Sequence, residues 1–435
     1  MIEVAEVRLW GTLVGAVALS DVRDASSFEY AKDFLQSGIE LSPLMMPLDS
    51  NIYRFPQLIG DSFHGLPGLL ADSLPDRFGN ILIQAWLNRQ GRTLASFSPI
   101  ERLCYTGTRG MGALEFFPII GESENISQTL ELDELVQLAS QVLRERNTLH
   151  SSLSNEQRSD TLSKVLAIGT SAGGARAKAV IAWNPRTKEV RSGQVKADKG
   201  FEYWLLKFDG VSSNKDKELN DPQGYGAIEY AYYLMAKKSG ITMNPCHLLQ
   251  EHERQHFMTK RFDRLPNGEK LHMQTLSALA HLDYNQASSH SYEDAFLVLQ
   301  RLKLSNESRE ELFRRMTFNI IARNQDDHVK NIAFLMDKKG QWSLSPSYDV
   351  SYNYQPQGAW TGQHQMSMNG KRDNFTLKDF TEIAKFAQMV RGRESEIVNE
   401  VCEAVSTWPD IASEIEISKD RIHEIMKNLR LNLHF

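Results

Sequence analysis

The chain has 435 residues, 41% of them hydrophobic and 24% charged, and a formal net charge of -6. That length exceeds one ordinary core and calls for two or three lobes, while the composition is that of a globular protein. It excludes several classes. No apolar run reaches the ~18 residues of a membrane helix, and no basic-then-apolar leader opens the sequence. No Lys/Arg cluster matches the about 6–10 phosphates an autonomous DNA binder neutralises. Cys104, Cys246 and Cys402 have neither metal-binding nor disulfide spacing, so the expectation is a cytoplasmic protein without membrane contact.

Residues 4–10 and 12–17 alternate around Gly11 and predict a hairpin. Turn signals follow, among them Gly65-Leu66-Pro67-Gly68 and Ser73-Leu74-Pro75-Asp76, with a helical pattern at 80–87. Residues 1–150 read as a mixed α+β subdomain that gives way to a Ser/Asn/Gln-rich tract at 147–160. Strand, Gly-rich turn and strand then occupy 165–168, 169–178 and 179–183, and another strand covers 203–208. A helix starts near Tyr225, with Ile228, Ala231, Tyr232, Met235 and Ala236 on one face, and stops at Gly240. With a strand near 257–262, residues 151–264 form a β-rich lobe.

Residues 265–435 read as a largely helical lobe. Ser291 with Asp294 is an N-cap signature, and 306–323 repeats apolar residues at Leu312, Met316 and Ile320. A polar loop follows, Arg323-Asn324-Gln325-Asp326-Asp327-His328-Val329-Lys330-Asn331. Residues 332–336 and 341–344 then flank the turn Asp337-Lys338-Lys339-Gly340 as a hairpin ending before Asp349.

Three constellations carry chemistry. Small residues in Gly169-Thr170-Ser171-Ala172-Gly173-Gly174-Ala175-Arg176-Ala177-Lys178 let backbone N–H groups approach a phosphate. Gly169 and Gly174 have Walker A spacing, but Ala175 stands where its Lys must be; alone, the segment reads as a plain β-turn rather than as a nucleotide loop. Lys207 sits in an otherwise apolar strand, where an unpaired ammonium costs several kcal/mol, on the order of the penalties in. Kinases pair such a lysine with a helix Glu, here Glu229; the alternative is a strand-edge lysine reaching water. Last, Asp326 and Asn331 stand five residues apart, with Asp349 beyond the hairpin. In phosphoryl transfer Asp326 would be the general base, and Asn331 and Asp349 would hold Mg²⁺ on ATP. His328 and Lys330 would screen phosphate charge. Asp327 competes with Asp326 but lacks the spacing, and no second ligand at helical spacing makes His328 a zinc site. A helix-terminating Asn/Asp turn is the plain alternative. The order of these parts along the chain favours a kinase: an α+β, two-lobed protein-kinase-like fold with an extra N-terminal α+β subdomain and a largely helical C-terminal lobe.

The chain resembles the HipA family of bacterial serine/threonine kinase toxins over nearly its whole length. The resemblance rests on Leu66-Pro67-Gly68-Leu69-Leu70-Ala71-Asp72-Ser73-Leu74-Pro75-Asp76, Gly110-Met111-Gly112-Ala113-Leu114-Glu115-Phe116, the Ser171–Lys178 run, Lys260-Arg261-Phe262-Asp263-Arg264, Asp326-Asp327-His328-Val329-Lys330-Asn331 and Ser347-Tyr348-Asp349-Val350. It implies Asp326 as catalytic residue and Asn331 and Asp349 as Mg²⁺ ligands. The ATP contacts it implies are Ala172, Gly173, Gly174, Ala175, Arg176, Lys207, Lys260, Arg261, Phe262, His328, Asn331, Tyr348 and Asp349. Ser171 matches an autophosphorylated serine whose modification ejects the Gly-rich loop, with Thr170 an adjacent alternative. A displaced phosphoserine could rest on Arg176, Lys178 or the Lys371-Arg372 pair. The implied partners are a protein substrate such as an aminoacyl-tRNA synthetase, a HipB-like helix-turn-helix antitoxin, and operator DNA reached through that antitoxin. A catalytically silent co-repressor and a small-molecule phosphotransferase are the rival readings.

Overall fold

The computed structural model describes residues 2–19, 25–120, 136–137, 176–194, 197–210 and 224–433. The expected strand at 165–168, the boundary tract at 147–160 and the Gly-rich turn from Gly169 to Ala175 lie outside the described residues.

Strands β1 (Val4–Leu9) and β2 (Thr12–Leu19) form the expected hairpin, with Leu9 opposite Thr12. Trp10 and Gly11 both have positive φ, as a two-residue turn matched to strand twist requires. The sheet continues through β3 (Ser26–Tyr30) and β4 (Tyr53–Arg54), and β5 (Leu114–Phe117) returns to pair with β1. Between them run α1 (Gly68–Ala71), α2 (Arg77–Arg89) and α3 (Pro99–Thr106). Ser98 and Glu101 close a capping box on α3, and Asp76 caps α2 by accepting from the Gly79 N–H at 2.7 Å.

A second antiparallel sheet has the order β7 (Val190–Ser192), β6 (Lys178–Trp183), β8 (Glu202–Lys207), β10 (Arg254–Lys260) and β9 (Cys246–Glu251). Helix α4 (Tyr225–Lys238) crosses one face. The other face is covered by α2: Phe78, Leu82 and Trp86 share a core with Ala179, Ile181, Trp204, Leu206 and Met258. The N-terminal part thus supplies a wall of the small lobe.

The large lobe holds α5 (Leu276–Ala280), α6 (Tyr292–Arg301), α7 (Asn306–Ile321), α8 (Leu377–Phe386), α9 (Arg393–Ser406), α10 (Trp408–Glu414) and α11 (Lys419–Asn428). Ser291 and Asp294 close the predicted capping box. The predicted hairpin is β12 (Ala333–Met336) and β13 (Trp342–Leu344), and β11 (His272–Thr275) joins it as a third strand. Met336 also enters the core of the N-terminal sheet. No helix among the described residues is long and apolar enough to cross a membrane. The architecture is two-lobed and protein-kinase-like, with an N-terminal α+β part packed on both lobes and a largely helical C-terminal lobe.

One close approach sets the geometry of the small lobe. A Cβ on Gly226, in the first turn of α4, would lie 2.0 Å from the Gln255 carbonyl oxygen of β10. Only glycine lets the helix press this closely on the sheet. Gly226→Ala should therefore destabilise the protein by about 1–3 kcal/mol through overpacking. Urea unfolding of the two proteins tests this, and superimposable curves would contradict it.

Candidate active site

Alternation along β8 places Trp204 and Leu206 against α2, so Lys207 points to the opposite face, toward α4. There its ammonium meets Glu229 Oε1 at 2.5 Å and Asp349 Oδ1 at 2.5 Å. The predicted Lys207–Glu229 pair is present; the second carboxylate is a contact the sequence does not imply. Arg176 Nη1 lies 3.7 Å from Glu229 Oε2 and its guanidinium sits 4.3 Å from the centre of the Tyr225 ring. Burial disfavours the Lys207 ammonium, but Asp349 and Glu229 outweigh it and hold its pKa above the usual lysine range. Burial likewise opposes the Asp349 carboxylate, and Lys207, Lys178 and Arg176 reverse that and hold it far below the usual range. Burial dominates at Glu229 and pushes its carboxyl up.

Asp349 has φ +56°, a left-handed backbone costing roughly 1–2 kcal/mol for a non-glycine residue. The chain before it is pinned: Arg315 Nη2 of α7 donates to the Ser345 carbonyl at 2.7 Å, and the Ser347 N–H donates to the Thr242 carbonyl at 2.8 Å.

The polar loop follows α7, as expected. Val329–Asn331 make one 3-10 turn, and Asn331 Nδ2 donates to the Asp326 carbonyl at 2.8 Å. The two acids differ sharply. Asp327 is buried and accepts from the Tyr292 hydroxyl at 2.7 Å, His364 Nδ1 at 2.8 Å and the Gln365 N–H at 2.8 Å. Burial opposes its ionisation, but His364, Tyr292 and the Gln365 amide hold the carboxyl below the usual range. It is a structural anchor. Asp326 keeps a side chain 32% exposed, and its Oδ1 accepts from Trp360 Nε1 at 2.7 Å and lies 3.8 Å from His328 Nε2.

His328, Asn331, Tyr348 and Asp349 line one small cleft, together with Asp327 rather than Asp326; Lys207 and Glu229 reach it only through Asp349. The donor set fits Mg²⁺. Asn331 spends its amide nitrogen on the loop and leaves its oxygen as the free donor, and Asp349 supplies a carboxylate. Among the described residues no three His, Cys, Asp or Glu side chains form a full metal cage. His328, another lining residue, has its Nδ1 buried without a hydrogen-bond partner.

The remaining predicted residues lie around this centre. Phe262 packs on Tyr348, ring centres 5.5 Å apart, where β10 leads into the large lobe. Lys260 pairs with Glu202 at 2.6 Å. Arg261 is buried, its guanidinium held by Asp263 at 2.9 and 2.7 Å. Ser171 and Ala172, Gly173, Gly174 and Ala175 lie outside the described residues. Of the cations expected to receive a displaced phosphoserine, Lys178 already pairs with Asp76 at 3.2 Å and Lys371 with Asp379 at 2.7 Å.

Sequence reasoning misses four contributors. Asp76, from the N-terminal part, holds Lys178, which stands opposite Lys207 in the β6–β8 register. Asp72 accepts from the Thr275 N–H at 2.6 Å and the Thr275 hydroxyl at 2.9 Å, at the start of α5. Trp360 and His364 hold the two acids of the loop. The Asp72-to-Asp76 run stands out as a motif, but its partners lie far along the chain.

Residues 5–117 match the HipA N-terminal domain and residues 170–409 the HipA-like C-terminal domain. Over 108 residues the chain is 28% identical to a Haemophilus influenzae protein provisionally named a kinase, covering 23% of this chain; the chain spans about a third (32%) of that relative's length. Among solved structures, HipA from the Shewanella oneidensis complex of HipA, HipB and operator DNA matches with a TM-score of 0.68 at 16% identity, covering 97% of this chain and 95% of that one. The Helicobacter pylori proinflammatory kinase CtkA gives a TM-score of 0.30 at 12% identity, over 52% of this chain and 92% of that one, too distant to bear on the fold. With both of its halves matched in order along the sequence, the chain belongs to the HipA family.

Proposed function

We propose that this protein is a Mg-ATP-dependent serine/threonine-protein kinase of the toxin type. It would phosphorylate a protein of the translation machinery, such as an aminoacyl-tRNA synthetase, and also itself on Ser171. The observation that carries this reading is the meeting of Lys207, Glu229 and Asp349, 2.5 Å separating the lysine from each acid, with Asp349 and Asn331 lining one cleft. That is the charge arrangement phosphoryl transfer demands, a fixed cation for phosphate oxygens next to hard ligands for a metal.

The chemistry assigned to each residue follows from its surroundings. Asp326, the more accessible acid of the loop, takes the proton of the substrate hydroxyl. The hydroxyl oxygen then bonds to the γ-phosphorus as the bond to the β–γ bridging oxygen breaks, and ADP departs. Lys207, kept charged by its two acids, offsets phosphate charge; Glu229 holds it in place. Mg²⁺ on Asn331 and Asp349 would neutralise the charge that develops on the phosphates. Arg176 and the Ala172–Ala175 backbone would hold the nucleotide phosphates. Lys260, Arg261 and Phe262 would border the adenine with Tyr348, and because the Arg261 guanidinium is committed to Asp263 and its N–H to the Tyr203 carbonyl, its own carbonyl is the part left for the base.

A phosphate on Ser171 adds about -1.5 to -2 charges and would claim the N–H groups meant for ATP, switching the kinase off. A HipB-like helix-turn-helix antitoxin would neutralise the protein and carry it to operator DNA as a co-repressor. The net charge of -6 supports this indirect route.

Incubation with radiolabelled Mg-ATP and bacterial lysate tests the activity. Asp326→Asn should lower phosphotransfer by roughly 10²–10⁴-fold, and near-normal turnover would remove it as the base. Asp349→Ala should weaken ATP binding in the presence of Mg²⁺ but much less in its absence; calorimetry with and without metal separates the two, and equal affinities would refute a ligand role. In phosphopeptide maps Ser171→Ala should lose the main self-labelled peptide, whereas its persistence would point to Thr170 or another acceptor.

A further inference from the structure

Asp326 is the half-buried, more accessible acid of its loop, and a carboxylate on a loop needs something to fix which oxygen faces the substrate. Oδ1 is taken: it accepts from the Trp360 indole N–H at 2.7 Å. Among the described residues no donor bonds to Oδ2. Trp360 begins a strap, residues 360–365, that runs behind the loop and touches both of its acids. At the far end of the strap His364 Nδ1 and the Gln365 N–H hold Asp327 at 2.8 Å each. The strap is tied back to the loop in between, with Gln325 Nε2 donating to the Thr361 carbonyl at 3.3 Å, and is closed on itself by Gln365 Nε2 donating to the Trp360 carbonyl.

The strap is anchored from the C-terminal segment. Arg430 Nη1 lies 2.9 Å from His364 Nε2 and also donates to the Ile320 carbonyl at 2.7 Å, at the end of α7. Arginine only donates, so His364 Nε2 must accept and its ring proton must sit on Nδ1, the atom facing Asp327. Burial leaves this relay one arrangement: His364 and Asp327 are 0% and 3% exposed. The indole N–H therefore approaches Asp326 from a support fixed at both ends rather than from a free loop.

We propose that Trp360 is a positioning residue for the general base. By occupying Oδ1 it orients the Asp326 carboxylate and leaves Oδ2 as the oxygen that receives the substrate proton. This rests on the kinase reading of the site. A bare requirement of a half-buried indole for some acceptor would explain the bond too, but it predicts a different pattern of effects.

The test is a double-mutant cycle on the full-length protein, with Trp360→Phe removing the N–H and keeping a ring. In an otherwise natural chain this substitution should lower kcat roughly 10- to 100-fold, the scale of one hydrogen bond to a charged group, with KM for ATP unchanged. In the Asp326→Asn background, where no base remains to orient, it should change kcat little. The same loss in both backgrounds, or a lowered melting temperature with kcat intact, overturns the proposal in favour of a purely structural indole. Natural and Trp360→Phe proteins of equal turnover overturn this inference alone, whereas a natural chain that transfers no phosphoryl group overturns the kinase reading along with it.

Discussion

The buried ammonium of Lys207 is the constraint around which the rest of the site is arranged. A cation at the buried end of an apolar strand is intolerable without acids, and the nearest acid in sequence, Asp209, is taken up by the Gly224 and Gly226 N–H groups. One acid comes from α4, brought within reach because Gly226 lets that helix lie on β10. The other comes from beyond β13, at a residue bent into a left-handed conformation. The first contact lies within the small lobe, and the second forms only when the large lobe is correctly placed against it. The lysine thus joins the small sheet, its helix and the large lobe at the point where a nucleotide would lie between them. Asp349 is meanwhile shared: the carboxylate a metal would use is in the same bond that keeps the lysine charged.

The N-terminal part is built into this arrangement at three places. Helix α2 forms a wall of the small-lobe core. Asp72 reaches the start of α5 in the large lobe, and Asp76 reaches Lys178 in the small one. The third contact is at the connection between lobes, where Arg264 donates to the Gly110 and Gly112 carbonyls at 3.1 and 3.0 Å and the Gly112 N–H donates to Asp263 at 2.7 Å. A segment that grips both lobes and their connection restrains how one moves against the other. It also feels the Asp326–Asn331 loop electrostatically, since the Lys330 charge acts on Asp72.

Local patterns made much of this legible in the residues alone. The β1–β2 hairpin, β8, α4, α7 and the β12–β13 hairpin each announce themselves by alternation, period or turn chemistry within a short window, and so do the Asp326–Asn331 spacing and the oddity of Lys207. Pairings that close over long stretches of chain are invisible to such reading. Nothing near residue 114 says that β5 will border β1, and nothing near 272 says that β11 will extend the later hairpin. The same holds at the site. Asp326 and Asp327 look alike in sequence; what separates them is Tyr292, His364 and Gln365 converging on one and Trp360, with the more distant His328, on the other, contacts made by residues with no pattern of their own. Lys178 likewise reads as the end of a Gly-rich turn, and only folding shows it buried against an acid a hundred residues earlier.

That last pair bears on how such proteins diversify. Losing one member of a buried ion pair costs about 3–5 kcal/mol, because the survivor is stranded away from water, and Asp76 and Lys178 are both almost wholly enclosed, at 2% and 3% side-chain exposure. Front and back halves are consequently not interchangeable cassettes. A recombinant chimera that joins the first part of one relative to the second part of another inherits a stranded charge unless acid and lysine travel together, so exchange between lineages should favour crossovers that keep the whole gene, or drift in which both positions turn apolar at once.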